Sequence, residues 1–312
     1  MFGYIGGFFL GWGLGANDAA NVFGTAVSSR MVSWRLAAVL ASIFVVLGAV
    51  LQGDAGVETL SGLTSQSRST ATITVFAAAC TVAMMTVLRL PISTSQAVVG
   101  SIVGVGIMQQ QVNLGGLQKV VLCWLGTPVG GAAFYLAFHY LLRSLLRRFR
   151  PSLLTLDPLL RFGLVVCGCY GAYALGANNV ANVSAVFVES GMLSSRWAVF
   201  LGGMSIAAGI LSMSKPVMVT VGQRIAEMSV FSAFVVVLAS SATVHLYAVI
   251  GVPVSTSQAV VGGLLGISLV RGLQVVRWRT MGAVFLAWCG TPLIGCGFAV
   301  LFYFLSHLQY QP

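Results

Sequence analysis

The chain has 312 residues, 58% of them hydrophobic and only 7% charged, with a formal net charge of +10. Soluble domains carry about 25% charged residues, so 16 Lys and Arg with 6 Asp and Glu cannot cover a water-soluble globule of this size. The composition predicts an all-α polytopic membrane protein, with room for ten or so segments of roughly 20 residues, and the 37 glycines suit close helix packing in lipid.

Taken in chain order, apolar runs fall at about 3–27, 36–52, 70–88, 92–108 and 119–142, then at about 162–187, 197–213, 230–250, 253–270 and 280–305. The opening MFGYIGGFFLGWGLGAND has no basic n-region and no cleavage site, so it reads as the first span and not as a removable signal. The runs at 92–108 and 253–270 are short and fit either spans or re-entrant hairpins. Lys215 and Pro216 read as the end of a span. Six cysteines sit in apolar stretches without metal-ligand spacing and read as small buried hydrophobes. His139, His245 and His307 are isolated and read as packing or interfacial residues.

The runs belong to a repeat. GANDAANV at 15–22 returns as GANNVANV at 176–183, PISTSQAVVG at 91–100 as PVSTSQAVVG at 253–262, and WLGTP at 124–128 as WCGTP at 288–292. The offsets are 161, 162 and 164, and the order is kept. The organisation is therefore a first repeat over 1–142, a basic connecting loop over 143–161 and a second repeat over 162–312. An odd number of segments per repeat inserts the second half upside down, giving two inverted-topology repeats with broken or re-entrant helices at the midplane.

Charge fixes the orientation. With the central loop (Arg143, Arg147, Arg148, Arg150, Arg161) in the cytoplasm, Arg30, Arg35, Arg89, Lys215, Arg224, Arg271, Arg277 and Arg279 also face inside. Only Arg68, Lys119 and Arg196 face outside. Both termini are then outside, in the cell membrane, with Asp54, Glu58 and Glu189 at the outer surface. Arg89 reads first as a positive-inside residue, with a second role in attracting an anion. Charges spread over loops in this way form no basic face, so nucleic acid is not a partner; the lipid bilayer is.

Two motifs carry the chemistry. Asp18 lies near the middle of the first run, where an ionised carboxylate costs at least about 2.5–3.5 kcal/mol and normally serves ions or protons. Asn17 and Asn21 flank it, and Asn178, Asn179 and Asn182 repeat the pattern. The second motif places Pro91 and Pro253 before Ser-Thr-Ser-Gln at a helix start, where unpaired amides and the positive dipole end bind oxyanions. Ser93, Thr94, Ser95, Ser255, Thr256 and Ser257 add hydroxyl donors, and Gln96 and Gln258 donate or accept. Oxygens from these side chains and Asp18 suit a hard cation such as Na⁺, and Asp18 alone could carry a proton. The layout is that of a secondary transporter with no cofactor beyond its coupling ion. An enzyme would need paired acids, a metal cluster or an activated nucleophile at depth, which Asp18 alone does not supply. A passive anion channel is the other rival.

The twin GANDAAN and GANNVAN motifs with the paired P-x-S-T-S-Q segments resemble the inorganic phosphate transporter (PiT) family over essentially the whole chain. The resemblance implies symport of inorganic phosphate with Na⁺ or H⁺, an inverted-repeat helical fold and a homodimer. It implies substrate contacts at Asn17, Asn178 and the Ser-Thr segments 93–95 and 255–257. Cation contacts would fall on Asp18, Asn21, Asn179, Asn182, Gln96 and Gln258, with Na⁺ at Asp18, Asn21 and Asn182. The chain departs from the family at Asn179, usually Asp, at Gln96 and Gln258, where many members have His, and in lacking a long hydrophilic loop. The lost carboxylate bears on the number of cations and on the anion, since proteins similar in outline carry sulfate or another oxyanion.

Overall fold

A computed structural model describes residues 2–28, 30–88, 92–150, 152–225, 229–272 and 278–308. Among them, every regular element is a helix. The first repeat holds α1 (Phe2–Ser28), α2 (Trp34–Gln52), α3 (Asp54–Ser61), α4 (Arg68–Val87), α5 (Thr94–Gln109) and α6 (Leu114–Phe149). The second holds α7 (Leu153–Glu189), α8 (Ser195–Ile225), α9 (Val230–Ile250), α10 (Thr256–Arg271) and α11 (Trp278–Leu308). At the repeat offset α8 corresponds to α2 and α3 joined. Among the described residues, seven helices (α2, α4, α6 to α9 and α11) are long and apolar enough to cross a membrane. Their outward faces carry Leu47, Leu122, Leu125, Val129 and Leu293, all exposed, which suits hydrocarbon and not water.

The short apolar runs prove to be the return arms of hairpins. Gly3 lies against Thr72 and Gly6 against Val75, so α1 and α4 start at the same face and run parallel. That register brings the end of α4 level with Asp18, near the middle of α1. α5 then turns back beside α4, with Val105 clustered on Ala77. In the second repeat Gly163 lies against Phe234 and Gly171 against Ser241, which ends α9 level with Asn179. Gly263 against Val236 returns α10 beside α9. Three through-helices and one hairpin per repeat keep the parity odd, as inversion requires.

The repeats are interlocked by glycines. A Cβ at Gly15 would stand 1.9 Å from the Ile206 carbonyl oxygen, and one at Gly209 1.9 Å from that of Trp12, so α1 and α8 touch backbone to backbone. The repeat-related pair, Gly176 on Val45 and Gly48 on Tyr173, is 2.0 Å in both contacts and joins α7 to α2. The hairpins are held the same way: Gly100 of α5 meets the Pro292 carbonyl of α11, and Gly262 of α10 meets that of Pro128 in α6. Each contact crosses from one repeat to the other.

Several expectations are corrected. The stretch 143–161 is helical up to Phe149 and again from Leu153, so the connecting loop shrinks to a sharp break beside Arg150, whose φ of 43° is left-handed. Ser152 caps the new helix by accepting from the Thr155 amide at 3.3 Å. α6, 36 residues or about 54 Å, exceeds the hydrocarbon thickness, so Arg143, Arg147 and Arg148 ride on its last turns. Helix α8 does not stop at Lys215 and Pro216, because proline's fixed φ is helical and one lost hydrogen bond bends a helix without ending it. Lys215 instead sits 5.8 Å from the Trp34 ring centre. Of the cysteines only Cys167 is buried, and Cys289 is exposed, since an apolar thiol facing lipid costs little. The histidines pack as read: His139 on Tyr135, His307 on Tyr303, and His245 between the Tyr170 hydroxyl at 2.9 Å and Gln52 Oε1 at 2.8 Å. Asp54, Glu58 and Glu189 are exposed.

Replacing Gly209 by Ala forces a methyl onto the Trp12 carbonyl and is expected to cost about 1–3 kcal/mol. Gly13→Ala, which meets nothing within 4 Å, serves as control. Thermal unfolding of the two purified variants in one detergent checks the difference; equal melting temperatures would refute the backbone contact.

Candidate functional site

The two hairpin tips meet where α1 and α7 carry their Asn motifs. Ser93 and Ser255 take extended conformations as N-caps, accepting from the Gln96 and Gln258 amides at 3.4 Å each. The remaining first-turn amides of α5 and α10 have no helical partners, so two positive helix ends converge. The tips are cross-bonded by repeat-related serines. Ser95 donates to the Val254 carbonyl at 3.2 Å, and Ser257 to the Ile92 carbonyl at 3.4 Å. Ser257 also lies 2.8 Å from Ser255 Oγ.

The Asn residues of α7 close one side of this junction. Asn178 donates to the Val254 carbonyl at 2.8 Å and accepts from its amide at 3.2 Å, pairing with the tip like a strand neighbour. Asn182 donates to Ser95 Oγ and to Asn179 Oδ1, both at 2.9 Å. On α1, Asn21 donates to Thr256 Oγ1 at 3.3 Å, and the Thr256 hydroxyl is also hydrogen-bonded to Asp18. Asp18, Asn178, Asn179, Asn182, Ser93, Thr94, Ser95, Gln96, Ser255, Thr256 and Gln258 are all buried, while Asn21 and Ser257 are half-buried. Among the described residues, the structure thus gathers every polar side chain of both motifs except one. Asn17 is exposed, and no hydrogen bond ties it to the cluster. The Asn178–Val254 pairing has no Asn17–Ile92 counterpart.

Four buried polar atoms in this cluster lack hydrogen-bond partners: Gln96 Oε1, Gln258 Oε1, Asn179 Nδ2 and Asn182 Oδ1. Buried polar atoms in native proteins are normally satisfied, so orphans concentrated at one place mark where a polar ligand fits. Among the described residues no group of three His, Cys, Asp or Glu could hold a metal. Pro91 and Arg89 lie outside the described residues. The Trp124 indole donates to the Pro253 carbonyl at 3.3 Å and so ties α6 to the tip. The recurrence of W-x-G-T-P was the available signal for that link.

A model of the phosphate transporter family matches the chain twice, over residues 14–157 and 154–299. The chain belongs to the phosphate transporter family. This phosphate transporter family member is a multi-pass membrane protein with the two repeats that its motifs predict. It is 29% identical over 92% of its length to a Methanocaldococcus jannaschii protein bearing the name "Putative phosphate permease", of which 91% is covered. It is 28% identical over 94% of its length to the Sulfate permease CysP of Bacillus subtilis, of which 84% is covered. A solved structure titled "The sodium-dependent phosphate transporter" shares the fold, with a TM-score of 0.85, 22% identity and 98% of each chain covered.

Asn178→Ala leaves the buried Val254 amide without its acceptor, which costs about 1–3 kcal/mol. Faster hydrogen exchange at residues 252–255, with the rest of α10 unchanged, is the expected readout.

Proposed function

We propose that the protein is a symporter that takes up inorganic phosphate with Na⁺ or H⁺ by alternating access around the hairpin junction. The observation that carries this reading is the pair of converging helix N-termini, where Gln96 and Gln258 together with Asn179 and Asn182 of α7 leave four buried polar atoms unpartnered. Helix amides and the hydroxyls of Ser93, Thr94, Ser95, Ser255, Thr256 and Ser257 supply an oxyanion cradle without a buried Arg or Lys. Asn179 Nδ2 is a further free donor. Asp18, the acid of the cluster, couples the anion to a cation.

Phosphate is favoured over sulfate by the orphans themselves. Asn182 spends its amide hydrogens on Ser95 and Asn179, which fixes its Oδ1 as an unpaired acceptor. With Gln96 Oε1 and Gln258 Oε1 that makes three buried acceptors. Phosphate at neutral pH carries at least one hydroxyl to donate to them, and sulfate carries none. A site built to bond a substrate hydroxyl rejects the analogue lacking it strongly. Sulfate stays as the second reading because of the likeness to the Bacillus subtilis sulfate permease.

Alternating access is supported by the unequal Asn pairs. Asn178 is paired with the Val254 backbone while the repeat-related Asn17 is exposed, and in our reading the paired side is the closed face and the unpaired side the open one. Exchanging the two pairings would exchange the open face. In the cell membrane the arginine-rich face would be cytoplasmic and both termini outside. The homodimer implied by the family remains part of this proposal.

Labelled phosphate uptake into proteoliposomes, with Na⁺ and pH gradients imposed separately and unlabelled sulfate as competitor, tests the reading. Accumulation driven by one gradient and blocked by phosphate but not sulfate is expected. Asp18→Asn, folded by its melting curve, should lose driven accumulation by about tenfold or more, as removal of one charged contact of about 1.5–3 kcal/mol requires. Downhill leak without concentration would instead mean a channel.

A further inference from the structure

On the face where α1 begins, two hollows adjoin and differ in chemistry. The first is a groove of about 350 Å³ between α1, α7 and α8, walled by Phe8, Phe187, Leu201, Met204 and Ala208. It opens because α1 changes partners along its length. Gly15 and Gly11 pack on Ile206 and Ser205 of α8, but Gly7 packs on Phe187 of α7 and Gly3 on Thr72 of α4. Toward its start α1 therefore leaves α8, and Phe8, Leu201 and Met204 stay exposed along the gap. The two hydroxyls in the groove are already spent. Tyr4 donates to the Met192 carbonyl at 3.2 Å and Ser205 to that of Gly202 at 2.7 Å, so the groove suits an apolar occupant. From Ala198 to Ala208 it follows α8 for roughly 15 Å, the depth of one leaflet in a hydrocarbon core about 30 Å thick.

The second hollow, about 430 Å³, shares Tyr4 with the first, and the Tyr4 ring stacks on Phe187 at 5.7 Å between them. Its polar lining is Arg68, Ser69 and Thr72. Arg68 is exposed, and among the described residues no acid is paired with it. It is also one of the few basic residues on this face, where charge works against the positive-inside bias and so needs another reason. Thr72 spends its hydrogen on the Arg68 carbonyl at 2.9 Å, which leaves Ser69 as the hydroxyl donor beside the guanidinium. Among the described residues no carboxylate lines this hollow, so it answers a phosphate and offers nothing to an ammonium headgroup. At the repeat offset Arg68 corresponds to Val230 and Tyr4 to Val165, so charge and groove are paired in one half alone. We infer that Arg68 and Ser69 hold the phosphate of one anionic phospholipid, and that the groove between α1, α7 and α8 takes one of its acyl chains. This site lies apart from the hairpin junction, and its occupation does not depend on the transport reading.

The experiment is native mass spectrometry of the delipidated full chain, titrated in detergent with dioleoyl phosphatidylglycerol. Wild type should retain one such lipid per chain, at least about tenfold more tightly than dioleoyl phosphatidylcholine or dioleoylglycerol. Arg68→Gln should erase that preference. Ala208→Phe, which puts a ring in the deep end of the groove, should weaken both phospholipids at least about tenfold. Arg196→Gln is the control and should change nothing. It removes the same charge from the first turn of α8, on the side of that helix turned away from Ala198, Leu201 and Ser205. Melting curves confirm that each variant is folded. Equal binding of the three lipids by wild type, or an undiminished preference in folded Arg68→Gln, overturns the site. An equal loss in Arg196→Gln also overturns it, by reducing the effect to surface charge. Disulfide trapping of Leu201→Cys between two copies overturns it as well, because a second chain would then fill the groove. Lipid retention is read without transport, so failure of either reading leaves the other standing.

Discussion

The structure depends on backbone meeting backbone between the repeats. In lipid, apolar side chains gain nothing by hiding from solvent, so helices associate through close packing and weak polar contacts, and glycine permits the closest approach. Gly15, Gly48, Gly176 and Gly209 each rest on a carbonyl of a helix from the other repeat, and Gly100 and Gly262 do the same for the hairpins. Neither repeat supplies the backbone-to-backbone contacts of its own motif helix. α1 is held by α8, α7 by α2, α5 by α11 and α10 by α6, so the fold is completed only when both halves interdigitate.

That exchange places the tips. Because the long helices α6 and α11 carry the hairpins of the opposite repeat, the two helix N-termini arrive at one depth from opposite faces and bond to each other through Ser95 and Ser257. Their polar groups are answered mostly by neutral partners: Asn178 by the Val254 backbone, Asn182 by Ser95 and Asn179, Thr256 by Asn21. A neutral network at this depth avoids the desolvation cost of paired charges while keeping donors aimed inward. It is also the property on which the proposed anion site, built from hydroxyls and amides and not from charged side chains, would depend.

Much of this was legible in the sequence, because polar residues kept in register through apolar runs have few structural explanations. The repeat, the inversion, the Asn motif and the capped Ser-Thr segments were all readable from spacing. Run length could not decide between span and hairpin, since about 16 residues suit both, and only the registers of Gly3 on Thr72 and Gly163 on Phe234 settle it. Pairing across repeats was hidden as well: a glycine announces a close approach without naming its partner. The link from Trp124 to Pro253 needed the fold, as did the exposure of Asn17, which its sequence neighbours made indistinguishable from Asn178.

Differences between copies carry the information that likeness cannot. The Ser-Thr-Ser-Gln segments are identical in both tips, as the proposed oxyanion cradle of two equal helix ends would require, because an anion midway between them has no preferred half. Asp18 against Asn179, Gly171 against Leu10 and Ser240 against Ala78 all fall on one side of that cradle, and each change makes the α1 quarter more polar or more open than its twin. Drift after duplication would scatter such substitutions over both quarters. Three changes of one sense at one place are better explained by a requirement that only one half meets, and of the two ligands in the proposed transport reading the coupling ion is the one able to impose it.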